Sequence, residues 1–458
     1  MTPPGTLILG KAVAVLVLCL LWQNPGAGVA AAASSVPKEA QAAFEKQQYQ
    51  QALDVLEKMD QSKRAEPDVR RLKVRSLVRL GKPKDALDEY DTLEKTLKRD
   101  DEFLLREVAF GLIVVLVKDM REQMRGAAYT ALKEIESDEV VPYFEDGLSD
   151  GSGAVRALAV EGLGRSEAGR NSKKLRGALE DQAALVKARV VKVLGKTGDA
   201  SVIPLLDAAT KDENSSVRTA AYAGLLRLGR KEAWEQLRQA ADAANPEDRA
   251  EALRAIAELK DQRGGPIMTE LLTYSQPSVR GASARGLGHL GRVEARGKIE
   301  SLLRDPVPAV REAAAAGLGE LGGKESVPAL TKALTDGAVS VRASAVAALL
   351  QLGEPFQDVA PTVSALTRQN DTAARASAAF ALGKAVPSNA QEAISVLAGL
   401  TADPLPGPKI VALRSLGHIG DRNVRPVLKE ALHDQNEAVR ATAGGALLHV
   451  LADKSQRK

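Results

Sequence analysis

Cysteine occurs once in the 458 residues, as Cys19. Neither a disulfide framework nor a thiolate metal cage can be built, and stability must come from packing. Aromatic residues make up 3% of a chain that is 45% hydrophobic. The interior is therefore Ala, Leu and Val, side chains that suit closely packed helices, and few rings are left on which bases could stack. A formal net charge of +4 is not the concentrated basic excess of a nucleic-acid binder, so nucleic acid is not expected as a partner. No period-two alternation marks a strand, and no glycine-rich phosphate loop follows one. The chain exceeds the ~250–300 residues at which single cores stop growing, so it either divides into domains or adds core one repeat at a time.

Lys11 precedes an apolar run from Ala12 to Trp22, and the small residues Ala27 to Ala33 follow Pro25-Gly26. Ala31 and Ala33 stand in A-x-A relation before Ser34. This is the layout of a secretory signal peptide over residues 1–33, so the mature chain is expected in the periplasm or outside the cell. Membrane attachment is expected only if the segment is retained. Cys19 lies within the apolar run behind Leu18, which argues against lipidation, and cleavage would leave a cysteine-free protein.

Internal repetition is the strongest signal. Basic residues recur at Arg125, Arg156, Lys187, Arg218, Arg249, Arg280, Arg311, Arg342, Arg375, Lys409 and Arg440; the first seven intervals are 31 residues, the last three 33, 34 and 31. Seven residues after each stands a Leu or Ile, from Leu132 to Leu447, and small residues occupy the slots three and six after it. These offsets trace one face of a helix. Gly198, Gly229, Gly291, Gly322, Gly353 and Gly420, 11 after their markers, read as C′ glycines closing that helix. Pro142, Pro204, Pro266, Pro328 and Pro426, 17 after theirs, read as the first turn of a second helix. Asp recurs six before the marker (Asp119, Asp150, Asp181, Asp212, Asp305, Asp336, Asp403, Asp434), placed to cap the marker helix or to pair with an Arg of its own or the next unit. Each unit is two antiparallel helices that bury an apolar face only against neighbouring units.

These units, of which Asp305 to Gly319 is one, resemble HEAT repeats of the short phycobilin-lyase-like type. The resemblance covers about residues 102 to 452. Upstream, Tyr49 to Lys58 is echoed by Pro83 to Tyr90, with Ala52 and Ala86 34 residues apart. That segment resembles a tetratricopeptide pair. The expected organisation is a signal peptide (1–33), tetratricopeptide-like helical repeats (34–100), a HEAT-repeat solenoid of about eleven units (101–452) and a basic tail (453–458). The fold class is all-α, an α-α superhelix, expected as an open rod or arc ~100 Å long. The apolar stretch Glu102 to Lys118 reads as the long leading helix of an atypical first unit, the seam joining the tetratricopeptide pair to the stack; its length and its charges at Arg106 and Glu107 argue against a membrane span.

Chemistry is thin. His289, His418 and His449 share one slot, nine after the marker, which elsewhere holds Arg165, Lys196, Glu258 or Gln351. So permissive a slot is a solvated position in a last turn, although His418 and His449 can face each other across adjacent units. HEAT proteins of the deoxyhypusine hydroxylase type carry His-Glu dipeptides as iron ligands; the four histidines here, His433 among them, are followed by Leu290, Ile419, Asp434 and Val450. No catalytic, cofactor or metal site is expected. The leading reading is a non-catalytic protein–protein interaction scaffold, the alternatives being a HEAT-type enzyme or chromophore lyase and a structural spacer. If the marker helix lines the concave face, its outward slots two, five and nine after the marker carry Arg189, Lys192, Lys196, Arg227, Arg254, Arg285 and His289. That basic patch is the candidate partner site, suited to an acidic protein segment or an anionic envelope polymer.

Overall fold

The computed structural model describes residues 35–452, which form helices joined by turns with no strand among them. The expected leader with Cys19 and the tail 453–458 lie outside the described residues. No helix among the described residues is long and apolar enough to cross a membrane; the apolar stretch in question is helical over Glu102–Val114 only, ending four residues earlier than expected. The chain divides into two compact units, up to Ala128 and from Tyr129 onward.

In the first unit, helices Lys38–Glu45, Tyr49–Glu57, Pro67–Arg79, Pro83–Leu97 and Glu102–Val114 pack in succession. Ala52 and Ala86 are both fully buried. The Pro67–Arg79 helix is basic on the flanks of its apolar stripe, and its neighbours supply the counter-charges. Lys73 Nζ lies 2.7 Å from Glu89, which Arg70 also binds. Arg71 reaches Asp101 at 2.7 Å. Arg75 and Arg79 hold the buried Glu107 at 3.0 and 3.2 Å. A buried carboxylate needs such partners, because desolvation otherwise forbids its charge.

The second unit is the repeat array. Its marker helices are Gly153–Leu163, Ala184–Leu194, Ser215–Arg227, Pro246–Glu258, Pro277–His289, Pro308–Leu321, Val339–Gln351, Thr372–Leu382, Pro406–Ile419 and Glu437–Leu451, each packed on the next. The Leu or Ile seven after the marker is at most 4% exposed in every one of them. The six glycines expected to end marker helices all have φ between 68° and 89°, a conformation that glycine adopts without steric cost. Pro142, Pro204, Pro328 and Pro426 sit at the first or second position of the partner helix, as its opening turn allows.

The repeating Asp acts differently from the expected helix cap. Asp150, Asp181, Asp212, Asp305, Asp336, Asp403 and Asp434 each accept from the backbone N–H two residues on, at 2.8–2.9 Å, and so fold the turn before the helix. The helix itself starts one residue further along, behind Ser152, Ala183, Asn214, Val307, Ala338, Leu405 or Asn436. The other carboxylate edge faces the preceding unit. Arg280 Nε and Nη2 meet Asp305 at 2.8 and 2.9 Å, and Arg311 meets Asp336 at 2.7 and 2.9 Å. Arg156–Asp181 and Arg375–Asp403 have the same two-pronged form, and Lys187–Asp212 and Lys409–Asp434 a single contact. Each Arg also donates Nη1 to the carbonyl of the residue six before it, as Arg311 does to Asp305 at 2.8 Å. Ala243, Tyr274 and Gln369 stand where Asp is usual, and at the second of these the Arg249 guanidinium lies 4.5 Å from the ring centre.

These rungs are not the exposed pairs that repetition on a surface suggests. Asp305 and Asp403 are 8% and 7% exposed, Arg156 and Arg375 7% and 9%. The arginine beside Asp181, Asp336 and Asp403 holds each carboxyl below its ordinary range. At Asp305 and Asp212, burial pushes upward but is outweighed by Arg280 and Lys187 respectively, so these fall as well. A lowered folded-state value contributes stability that is complete above the unfolded value of ~3.9 and is lost as pH falls through the folded one. Thermal melts followed by circular dichroism are thus expected to be flat from pH ~7 to ~5 and to drop steeply below pH ~4, with the drop softened in an Asp305→Asn, Asp336→Asn double variant.

Where marker helices meet, side chains are nearly absent. A Cβ on Gly288 would lie 2.1 Å from the Gly317 carbonyl oxygen, and one on Gly195 2.6 Å from Gly224 Cα. The slot eight after one marker thus abuts the slot six after the next, as again for Gly417 against Ala446. The final contact departs from an open arc. Gly445 in the last marker helix abuts Ala131, where a Cβ would lie 2.8 Å from the carbonyl oxygen, so the second unit meets its own beginning. There the slot five after the marker replaces the slot eight after, an offset of about 4.5 Å along the helix. Close approach of backbones tilts every inner helix towards the next, and the rotation accumulates until the ends touch.

Candidate partner-binding face

The sharp inward turn decides the fate of the basic patch. Lys192 and Lys196 both reach Glu258, at 2.7 and 3.2 Å, across the intervening Arg218 unit. A side-chain contact that skips a unit requires the marker helices to line the inside of the curve, so the expected slots do face inward. Arg189 meets Glu161 at 3.1 Å. Arg285 and His289 share Glu320, at 3.1 and 3.5 Å. Five of the seven candidate residues are thereby partly neutralised. Burial pushes Glu258 up, but the two lysines outweigh it and its carboxyl stays below the ordinary range.

Arg227 and Arg254 are the remaining two; both are exposed. They sit in adjacent marker helices among small residues: Ala220 and Ala223 share the Arg227 helix and Ala282 occupies the inward slot of the next. The inner face therefore offers two solvated guanidiniums over a low floor, bordered by Lys192–Glu258–Lys196 on one side and Arg285–Glu320 on the other. Further along, the same slots hold Ala313, Ala316 and Ala347, then the 59% exposed Phe380, whose ring lies 5.4 Å from Lys384 Nζ. That aromatic was legible as the residue five after Arg375 but belongs to no repeating pattern.

A second cluster gathers where the array meets its own start. Thr130, Glu134, Arg414, His418, Thr442 and His449 line a cleft there. His418 Nε2 lies 3.0 Å from the Glu134 carboxylate, His449 Nδ1 3.1 Å from its carbonyl oxygen, and the two imidazoles are 6.4 Å apart, edge to face. The two histidines do face each other across adjacent units, as the shared slot predicts; that Glu134, nearly 300 residues upstream, stands between them is not visible in the sequence.

A family model for HEAT repeats matches residues 172–257, 234–302 and 297–383, and one for PBS lyase HEAT-like repeats matches 409–434. No curated protein matches the chain. Among solved structures, human deoxyhypusine hydroxylase in complex with glycerol is similar at 20% identity over 58% of this chain and 98% of its own, with a TM-score of 0.27. An engineered protein is similar at 18% identity over 75% and 99%, TM-score 0.28. A Kap121p triple mutant is similar at 14% identity over 90% and 55%, TM-score 0.38. The chain thus carries HEAT repeats, and its fold is an all-α superhelix built from them.

Proposed function

We propose that the protein is a non-catalytic scaffold, exported through its N-terminal signal, that holds a protein partner on the inner face of the second unit. The observation that carries this reading is the pair Arg227 and Arg254: two exposed cations that form no ion pair among the described residues, whereas Arg189, Lys192, Lys196, Arg285 and His289 each meet a carboxylate. An acidic protein segment supplies the missing counter-charge; an anionic envelope polymer is the alternative ligand of the same chemistry. The helices over residues 37–99 are read as a tetratricopeptide-like pair offering a second groove for a peptide or helix.

The test is a crosslinking pull-down from the envelope fraction with the mature chain and its Arg227→Glu, Arg254→Glu variant. Loss of about tenfold in retained partner is expected, since two charge reversals at a partly desolvated contact are worth roughly 1–2 kcal/mol. Undiminished retention by a variant that folds normally would remove the inner face from consideration.

A further inference from the structure

We propose, resting on the scaffold reading above, that the inner face of the second unit receives one helical segment of its partner, acidic along one side and apolar along the other. Around the curve the inward slots change character. From the Ser215–Arg227 helix to the Pro277–His289 helix they carry Arg227, Arg254 and Arg285. The first two are exposed and form no ion pair among the described residues. The carboxylates of this arc are engaged elsewhere: Glu251 accepts from the Ser216 hydroxyl, and Glu258 is held by Lys192 and Lys196.

The next three marker helices are Pro308–Leu321, Val339–Gln351 and Thr372–Leu382. Their slots two and five after the marker hold Ala313, Ala316, Ser344, Ala347, Ser377 and Phe380, with no charge among them. The first five are half-buried, whereas Phe380 is 59% exposed and stands where the two preceding units put Ala316 and Ala347. Lys384 Nζ, 5.4 Å from the ring centre, occupies one side of it and leaves the rest to solvent. An open ring at the end of a floor of small residues is the form of an apolar anchor point. One wall of the inner space thus lacks negative charge, and the next lacks apolar cover.

The size of that space limits the occupant. Ten marker helices and the turn carrying Ala131 close the row. Eleven helix axes spaced ~8–10 Å apart put opposite axes ~30 Å apart, and opposite walls ~20 Å apart once each wall's own helix is subtracted. A folded domain of ~100 residues, over ~30 Å across, does not enter. A single helix ~10–12 Å wide does, and the long arms of Arg227 and Arg254 and the Phe380 ring reach towards it. The wall is helical, so its backbone groups are largely paired within it and offer no edge to an extended chain. A helix satisfies its own backbone, and its 3.6-residue period sorts acidic and apolar side chains onto opposite sides.

Fluorescence anisotropy of the full-length chain with three labelled synthetic peptides of about 16 residues tests this. One has Glu along one side of a helix and Leu along the other; the second has the same composition with the sides mixed; the third keeps the Glu and replaces Leu by Gln. The first is expected to bind about tenfold more tightly than either of the others. Phe380→Ala, at an exposed position, should weaken the first about fivefold and leave the third unchanged, while Arg227→Ala, Arg254→Ala should weaken both. Equal affinity for the first and second peptides, or binding of the first that ignores Phe380→Ala, would overturn the two-sided helix and leave the acid-binding face standing. Failure of all three to bind, or binding indifferent to the two arginines, would remove the face and the helix together.

Discussion

Replacing Gly288 with alanine is expected to destabilise the second unit by about 3 kcal/mol, more than any other single methyl group added to it. The new carbon would fall 2.1 Å from the Gly317 carbonyl oxygen and 2.8 Å from Gly317 Cα. No rotamer change relieves the clash, because both obstructing atoms are backbone in the next marker helix. The Pro277–His289 and Pro308–Leu321 helices must separate, and the rungs on either side, Arg280–Asp305 and Arg311–Asp336, shift with them. In a helix that had room, the same change would stabilise by about 0.5–1 kcal/mol through propensity. Gly297 provides that room: it is helical and exposed, and nothing lies within 4 Å of an added Cβ. Urea denaturation followed by circular dichroism should move the midpoint down for Gly288→Ala and slightly up for Gly297→Ala. Equal small shifts for the two would mean that the marker helices are not in backbone contact.

The second large effect is expected at a ladder rung. Asp305→Ala removes the two hydrogen bonds that the Arg280 guanidinium makes to the carboxylate, leaving those of Nη1 to the Tyr274 and Ser275 carbonyls, and it removes the acceptor for the Val307 N–H, in a region 8% exposed at the aspartate. The guanidinium, whose side chain is 12% exposed, is left without its counter-charge. Breaking one side of such a pair costs about 2–4 kcal/mol, much of it the penalty of the stranded charge. The companion variant Arg280→Met, Asp305→Leu removes both charges and should recover more than half of that loss, since an apolar pair of similar volume is often neutral. The Trp234 side chain, stacked 4.1 Å from the Arg263 guanidinium two units upstream, gives a local fluorescence signal. If Asp305→Ala unfolds only the units around it, Trp234 emission should report a later transition than circular dichroism.

How far the sequence anticipates these results depends on the range of the interaction. The Leu seven after each marker, the glycine eleven after and the proline seventeen after are written locally, because helix periodicity and backbone dihedrals act within a turn or two. Pairing of Arg280 with Asp305 is almost as legible, since the repeat itself carries each Asp to a fixed offset from the previous Arg. Two features are not. The Asp folds the turn two residues before the N-cap position, where only Asn214 and Asn436 add a side-chain cap, a distinction of two positions that propensity does not resolve. The bridge from Lys192 to Glu258 and the meeting of Ala131 with Gly445 depend on rotation accumulated over several units, and no spacing encodes that. The basic patch reads as six free cations and a histidine only while Glu161, Glu258 and Glu320 are assigned to other surroundings.

The grip of Lys192 and Lys196 on Glu258 has one more consequence. Thermodynamic descriptions of tandem arrays treat each member as touching only the one before and the one after. Here the Arg218 member is straddled by a link between its two flanking neighbours, so it cannot fray without straining a tie to which it does not belong. Such next-nearest coupling makes a row of small units melt less like beads on a string and more like one block.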